Sequence, residues 1–166
     1  MKTGKVISLF IILCLLCGCG HELVRDRGVF GGEVVSLSVP VFKNNSYEPQ
    51  TPEFFTAAFS HELASSGRFD LNRPGADSVL QGTIESVSTR PGALSLQGQA
   101  AEKIVTVTVS LNMTRQGNPL KNWAFADAEA YTVGDINQED FSRRQALQRI
   151  AARIARRFLS QLAAIY

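Results

Sequence analysis

The run from Glu102 to Arg115 (EKIVTVTVSLNMTR) constrains the fold more tightly than any other part of the chain. Val105, Val107, Val109, Leu111 and Met113 share one parity, and Thr106, Thr108, Ser110, Asn112 and Thr114 share the other. Successive side chains of a strand point to opposite faces, so this spacing predicts a long strand with one apolar and one polar side. The apolar side requires a second layer of structure to cover it.

The segments around that strand complete a sheet. Gln116-Gly117-Asn118-Pro119 reads as a turn, after which Lys121 to Val133 returns with Trp123, Phe125 and Tyr131 alternating around an alanine-rich middle. Upstream, Ser78 to Arg90 reads as a strand in which Gly82 marks a bulge or a close approach of backbone. Pro91 to Ala101 is an uncharged loop. Glu33 to Phe42 (EVVSLSVPVF) has a period of two, and Pro40, lacking an amide hydrogen, places its end at an edge or at the exit from the sheet. Lys43 to Ser46 is a turn. It contains a glycosylation sequon, for which nothing else in the sequence argues.

Two stretches have helical spacing. Thr51-Pro52-Glu53 opens the first, with Thr51 as cap, Phe55, Ala58, Phe59 and Leu63 on one stripe, and Gly67 closing it. Asn137-Gln138-Glu139-Asp140 opens the second, whose buried stripe is Leu147, Ile150, Ala151, Ile154, Phe158, Leu162 and Ile165. Its arginines (143, 144, 149, 153, 156 and 157) read as a solvated face. The order β-α-β-β-β-α predicts the α+β class: a mixed four-stranded sheet with two helices packed on one face. Its first strand–helix–strand unit should pair in parallel, and the rest should form an antiparallel meander.

The N-terminus carries a different signal. Lys2 and Lys5 precede the apolar run Val6 to Leu16, which falls well short of the roughly 20 residues a membrane-crossing helix needs. It ends in Leu16-Cys17-Gly18-Cys19, a branched aliphatic, two small residues and a cysteine, which resembles the bacterial lipoprotein box. That resemblance implies cleavage between Gly18 and Cys19, with diacylglyceryl and N-acyl groups on Cys19. Each buried methylene contributes about 0.8 kcal/mol, so three chains would anchor the protein stably at a membrane. Gly20 follows, rather than the aspartate associated with retention at the inner membrane, so the outer membrane is the expected location, on its periplasmic side. The chain then divides into a signal peptide (1–18), an acylated tether (19–32) and a folded domain (33–166). Cleavage leaves about 150 residues, the size of one domain. The formal charge of +2 leaves with Lys2 and Lys5, so bulk charge gives no reason to expect nucleic acid as a partner. Cys14 and Cys17 leave as well, and the domain can form no internal disulfide.

Catalytic chemistry is not expected. His61 and the tether's His21 are the only imidazoles, and Cys19 is committed to acylation, so no nucleophile–base–orienter set can be assembled. No metal cluster, P-loop or dinucleotide fingerprint is present, and no cofactor is expected beyond the acyl groups. His61 reads as a helix-surface residue. Glu85 and Glu102 read as solvent-facing carboxylates.

Several segments in order resemble one family. Gly18-Cys19-Gly20 is followed by Val39-Pro40-Val41-Phe42-Lys43-Asn44, by Glu48-Pro49 ahead of Phe55-Thr56-Ala57-Ala58-Phe59, and by Ala76-Asp77-Ser78-Val79-Leu80-Gln81-Gly82-Thr83-Ile84. Together they are similar to LptE, the lipopolysaccharide-assembly lipoproteins, although His21 stands where that family usually has an aromatic residue. The resemblance implies a protein that plugs the LptD β-barrel, assists its assembly and helps deliver lipopolysaccharide to the outer leaflet. A Thr- and Ser-rich strand face suits the polar interior of a large barrel, and an acyl anchor raises local concentration there. For phosphorylated lipopolysaccharide the nearest cations are Arg90, Lys103, Arg115 and Lys121, while Leu94 and Leu96 are candidates for apolar contact. The alternative is an envelope lipoprotein that regulates a peptidoglycan synthase or forms a curli-type export assembly.

Overall fold

The computed structural model describes residues 28–94 and 101–164. The expected signal peptide, Cys19, Gly18 and Leu96 lie outside the described residues. In chain order the elements are β1 (Ser36–Ser38), β2 (Lys43–Asn44), helix α1 (Thr51–Ser65), β3 (Asp70–Leu71), β4 (Ser78–Pro91), β5 (Glu102–Arg115), β6 (Asn118–Thr132) and helix α2 (Ile136–Ala163). They make one mixed sheet in the order β3-β1-β4-β5-β6, with β2 also on β4.

The α+β class stands, and the strand count rises from the expected four to six. The predicted first strand is interrupted. β1 and β2 both pair with β4 in parallel, at Leu37↔Ser78 and Lys43↔Thr83, as two pieces of one strand separated by Val39–Phe42. The amides in that gap leave the sheet. Val39 N–H donates to Oδ1 of Asn72 (2.9 Å), Pro40 has none, and Phe42 N–H donates to Oγ1 of Thr56 (3.1 Å). Pro40 thus marks a break in the strand, and Phe42 uses it to turn its ring into the core. The other added strand, β3, pairs in parallel with β1.

β4, β5 and β6 form the expected antiparallel meander. The β5–β6 connection is a two-residue turn in which Gln116 (φ 49°) and Gly117 (φ 83°) are both left-handed, the geometry that matches strand twist. Gly82 proves to be the close approach, since a Cβ there would overlap the Phe42 ring. The bulge lies beyond it, between Ile84 and Ser86, and it shifts the parity so that Ile84↔Val109 and Val87↔Val107 share a face. With 14 residues in β4, the β4–β5 hairpin is about 45 Å long.

Both helices cover the face carrying Val105, Val107, Val109, Leu111 and Met113, all buried. They run in the same direction: Arg143, early in α2, pairs with Glu48 just ahead of α1, and Arg156, late in α2, pairs with Glu62 near the end of α1. Phe158 sits at the centre of the core, 5.5 Å from Phe59 and 5.0 Å edge-on from Trp123, ring centre to ring centre. Asp135 caps α2, its carboxylate accepting from Gln138 N–H (2.9 Å). Thr51 does not cap α1: it is the first helical residue, and it is fully buried.

Residues 28–32, expected as the last part of the tether, are folded against the body. Gly28 N–H donates to Arg68 C=O (2.9 Å), and Val29 bridges Val34 and is buried with it. The chain therefore joins the body at the end of the sheet opposite the β4–β5 hairpin tip.

Candidate functional site

Helices occupy one face of the sheet, and among the described residues nothing packs on the other. That uncovered face carries Gln81, Thr83 and Ser88 from β4, the even-numbered residues Thr106 to Thr114 from β5, and Asn122, Ala124, Ala126, Ala128 and Ala130 from β6. Over β5 and β6 it has no charge between Ile104 and Thr114 or between Asn122 and Ala130. Its charges are peripheral: Lys43 beside Thr83, Arg90 and Glu102 near the hairpin tip, and Glu85 at the bulge. Glu85 is tied down by the Ser110 hydroxyl and the Asn45 amide. A shallow depression of about 590 Å³ crosses the face between Lys43, Gln81, Ser110, Asn112 and Asn122. Hydroxyls, amides and methyl groups at this spacing can exchange hydrogen bonds and make close contact with a partner surface.

Charge is gathered on the helix-covered side. The exposed side chains of central β6 are alanines, whereas Asp127 and Glu129 are half-buried and point toward α2. Arg153 bridges Asp127 (2.8 Å) and Glu129 (2.5 Å), and Arg149 adds a second bond to Glu129 (2.7 Å). Burial works to raise the Glu129 carboxyl, yet the two guanidinium groups hold it below the ordinary value, while Asp127 raises Arg153. Arg143 pairs with Glu48 (2.5 Å) and Arg156 with Glu62 (3.6 Å). The reading of these arginines as a solvated face holds for Arg144, Arg149, Arg156 and Arg157, which are exposed, and is corrected for Arg143 and Arg153, which are half-buried. Four of the six pair with acids, because β6 and the α1 region present carboxylates to them.

The expected contact residues fall at two ends of the hairpin. At the tip end, Arg90 is exposed on the uncovered face and Leu94 is 64% exposed just beyond β4. Lys103 lies on the covered side and is engaged by Glu139 at the start of α2 (2.6 Å), whose carboxylate raises its pKa. At the far end, Arg115 binds Glu33 (3.1 Å) and Asp77 (3.3 Å). Lys121 stands 5.7 Å from the Trp123 ring centre. Asp77 is held below its ordinary pKa first by the Ser36 hydroxyl, then by Ser78 and Arg115. Its carboxylate thus ties β1, β4 and the end of β5 together. His61 is exposed on α1. Among the described residues no cluster of His, Cys, Asp and Glu could hold a metal ion, and no helix is long and apolar enough to cross a membrane.

The sequence pointed to individual cations near the hairpin and did not single out the uncovered face as a whole. The signal was present in the uncharged even positions of β5 and the alternating alanines of β6.

Residues 34–162 match the LptE family, described as lipopolysaccharide-assembly. Among solved structures the chain is similar to the rare lipoprotein B from Shewanella oneidensis (TM-score 0.56, 14% identity, covering 78% of this chain and 94% of that one). It is also similar to a minor lipoprotein from Acinetobacter baumannii (0.53, 16%, 79% and 92%) and to a putative lipoprotein from Caulobacter crescentus (0.52, 16%, 75% and 88%). At these identities the likeness is one of fold. No curated protein matches the chain by sequence.

Proposed function

The chain belongs to the LptE family of lipopolysaccharide-assembly proteins, and on that premise we propose that it is an outer-membrane lipoprotein that plugs an LptD-like β-barrel, assists its assembly and helps deliver lipopolysaccharide to the outer leaflet. Cys19 carries the acyl anchor in this reading. The observation that supports plugging is the uncovered sheet face. A face meant for permanent water normally carries scattered charge, and one meant for the core carries aliphatic side chains. From Thr106 to Thr114 on β5 and from Asn122 to Ala130 on β6 this one carries neither, its charges lying at the margins. Seating an uncharged hydroxyl, amide and methyl surface against the polar inner wall of a large barrel requires no charge to be stripped of water, and its hydrogen bonds can be remade across the contact. The non-enzymatic reading is supported by the family, which is described as lipopolysaccharide-assembly.

Affinity purification of the full chain from detergent-solubilised outer membrane tests this. A one-to-one complex with a large barrel protein, lost when Thr108→Lys places a charge in the middle of the face, is the expected result. Recovery as a homo-oligomeric ring, or with a peptidoglycan synthase, overturns the plug. Mass spectrometry finding Cys19 without fatty acid overturns the anchor separately.

A further inference from the structure

β6 is the terminal strand of the sheet, so one side of its backbone has no strand beside it. At 15 residues it is a long edge, the kind of template to which another chain adds. The groups that face outward are identified by their hydrogen bonds. Ala128 N–H donates to Oδ1 of Asp127 (2.8 Å), Ala128 C=O accepts from Nη2 of Arg153 (3.0 Å), and Ala126 C=O accepts from Nη1 of Arg157 (3.4 Å). Outward groups alternate along an antiparallel strand, so Asn122 and Ala124, two successive outward residues, and Ala130 on the far side of the arginines present others. Both arginines come from α2 and reach around the edge from beneath it. Arg153 is held there by Asp127 and Glu129, and Arg157 lies 5.6 Å from the Phe125 ring centre. Among the described residues no side chain bonds the backbone of Asn122 or Ala124. The opposite edge needs less protection: β3 is two residues long and bears the Arg73–Asp70 pair (2.9 Å).

We propose that Arg153 and Arg157 keep the β6 edge from pairing with β6 of a second copy of this chain, and that Asn122–Ala124 is where pairing starts once they are removed. A second copy is the fitting occupant. The edge strand matches itself in length, and its side chains on the uncovered face, uncharged from Asn122 to Ala130, would oppose no like charges there when two such strands lie antiparallel. The guard works sterically and by occupying carbonyls. An added strand must displace both guanidinium groups and break the Arg153 ion pairs before it can reach Ala126 and Ala128.

Sedimentation velocity on the full chain in detergent tests this. Arg153→Ala/Arg157→Ala is expected to self-associate at least tenfold more tightly than the unaltered chain. Adding Ala124→Pro, which removes an outward N–H, should restore the unaltered behaviour. Amide exchange at Ala124 should slow in the dimer. The double variant leaves Asp127 and Glu129 without Arg153, so Arg157→Gln, which keeps those carboxylates paired, serves as the second variant, with a smaller rise in association. Folded variants, shown so by circular dichroism, that associate no more than the unaltered chain overturn the proposal. So does a dimer that Ala124→Pro leaves intact. If the double variant does not fold, unchanged association of Arg157→Gln overturns it.

Discussion

Along β5 the odd-numbered side chains lie under the helices, and among the described residues no second layer packs on the even-numbered ones. The two sets are nearly matched in shape. Valine and threonine share a branched β-carbon and both suit a pleated strand, so local strand preference is the same on either side. They differ in what they can do with water. Val105, Val107 and Val109 are driven under α1 and α2, while Thr106, Thr108 and Ser110 can stay outside without collapsing onto another surface. The covered face therefore supplies stability, and the uncovered face is free to serve a partner.

Substitutions can break that division, and the largest effect is expected at Phe158. Its ring touches Phe59, Trp123 and Phe125, so Phe158→Ala should destabilise by about 3–5 kcal/mol, read as a lower denaturant midpoint. Gly82→Ala comes next. Its new methyl meets the Phe42 ring, and a loss of about 1–3 kcal/mol is expected, partly relieved by adding Phe42→Leu. Arg153→Ala leaves two half-buried carboxylates without their main partner. Solvent screening limits the effect to about 1–2 kcal/mol at neutral pH.

Acid sharpens that last prediction. Glu129 and Asp77 titrate below their ordinary values of 4.5 and 3.8, so the stability they lend is complete above those values. It is lost as pH falls through the lowered folded values. Thermal melts should show Arg153→Ala converging on the unaltered protein as pH drops through that range, and parallel melting curves would contradict the assigned pairing. On the uncovered face, Thr108→Ala and Ala126→Ser should change stability by no more than about 0.5 kcal/mol. A larger loss at either position would mean that the face contributes to folding after all.

The meander was legible because each of its long strands carries its own period. The parallel pairing of the first strand with β4 was legible too, from the strand–helix–strand order, but its interruption at Val39–Phe42 and the added β3 were not. β3 is two residues long and exists only where Leu71 meets Leu37 across the sheet, too short a run for any period to show. Gly82 was legible as a special position, but its meaning depended on Phe42, forty residues upstream, turning inward. Arg143 and Arg153 were misread for a similar reason. The odd parity that Asp127 and Glu129 share with Trp123, Phe125 and Tyr131 already places both acids on the inward side, but which arginine reaches them depends on where α2 crosses the sheet.

By itself the sequence determined the α+β class, the two-sided character of β5 and the apolar stripe of α2, because alternation and helical spacing are properties of neighbouring residues. The tertiary structure alone decided how far the bare face continues across β4 and β6, which arginines are engaged and how the β6 edge is closed. Those outcomes depend on where α2 lies across the sheet, and side chains far apart in the chain set that position by packing together.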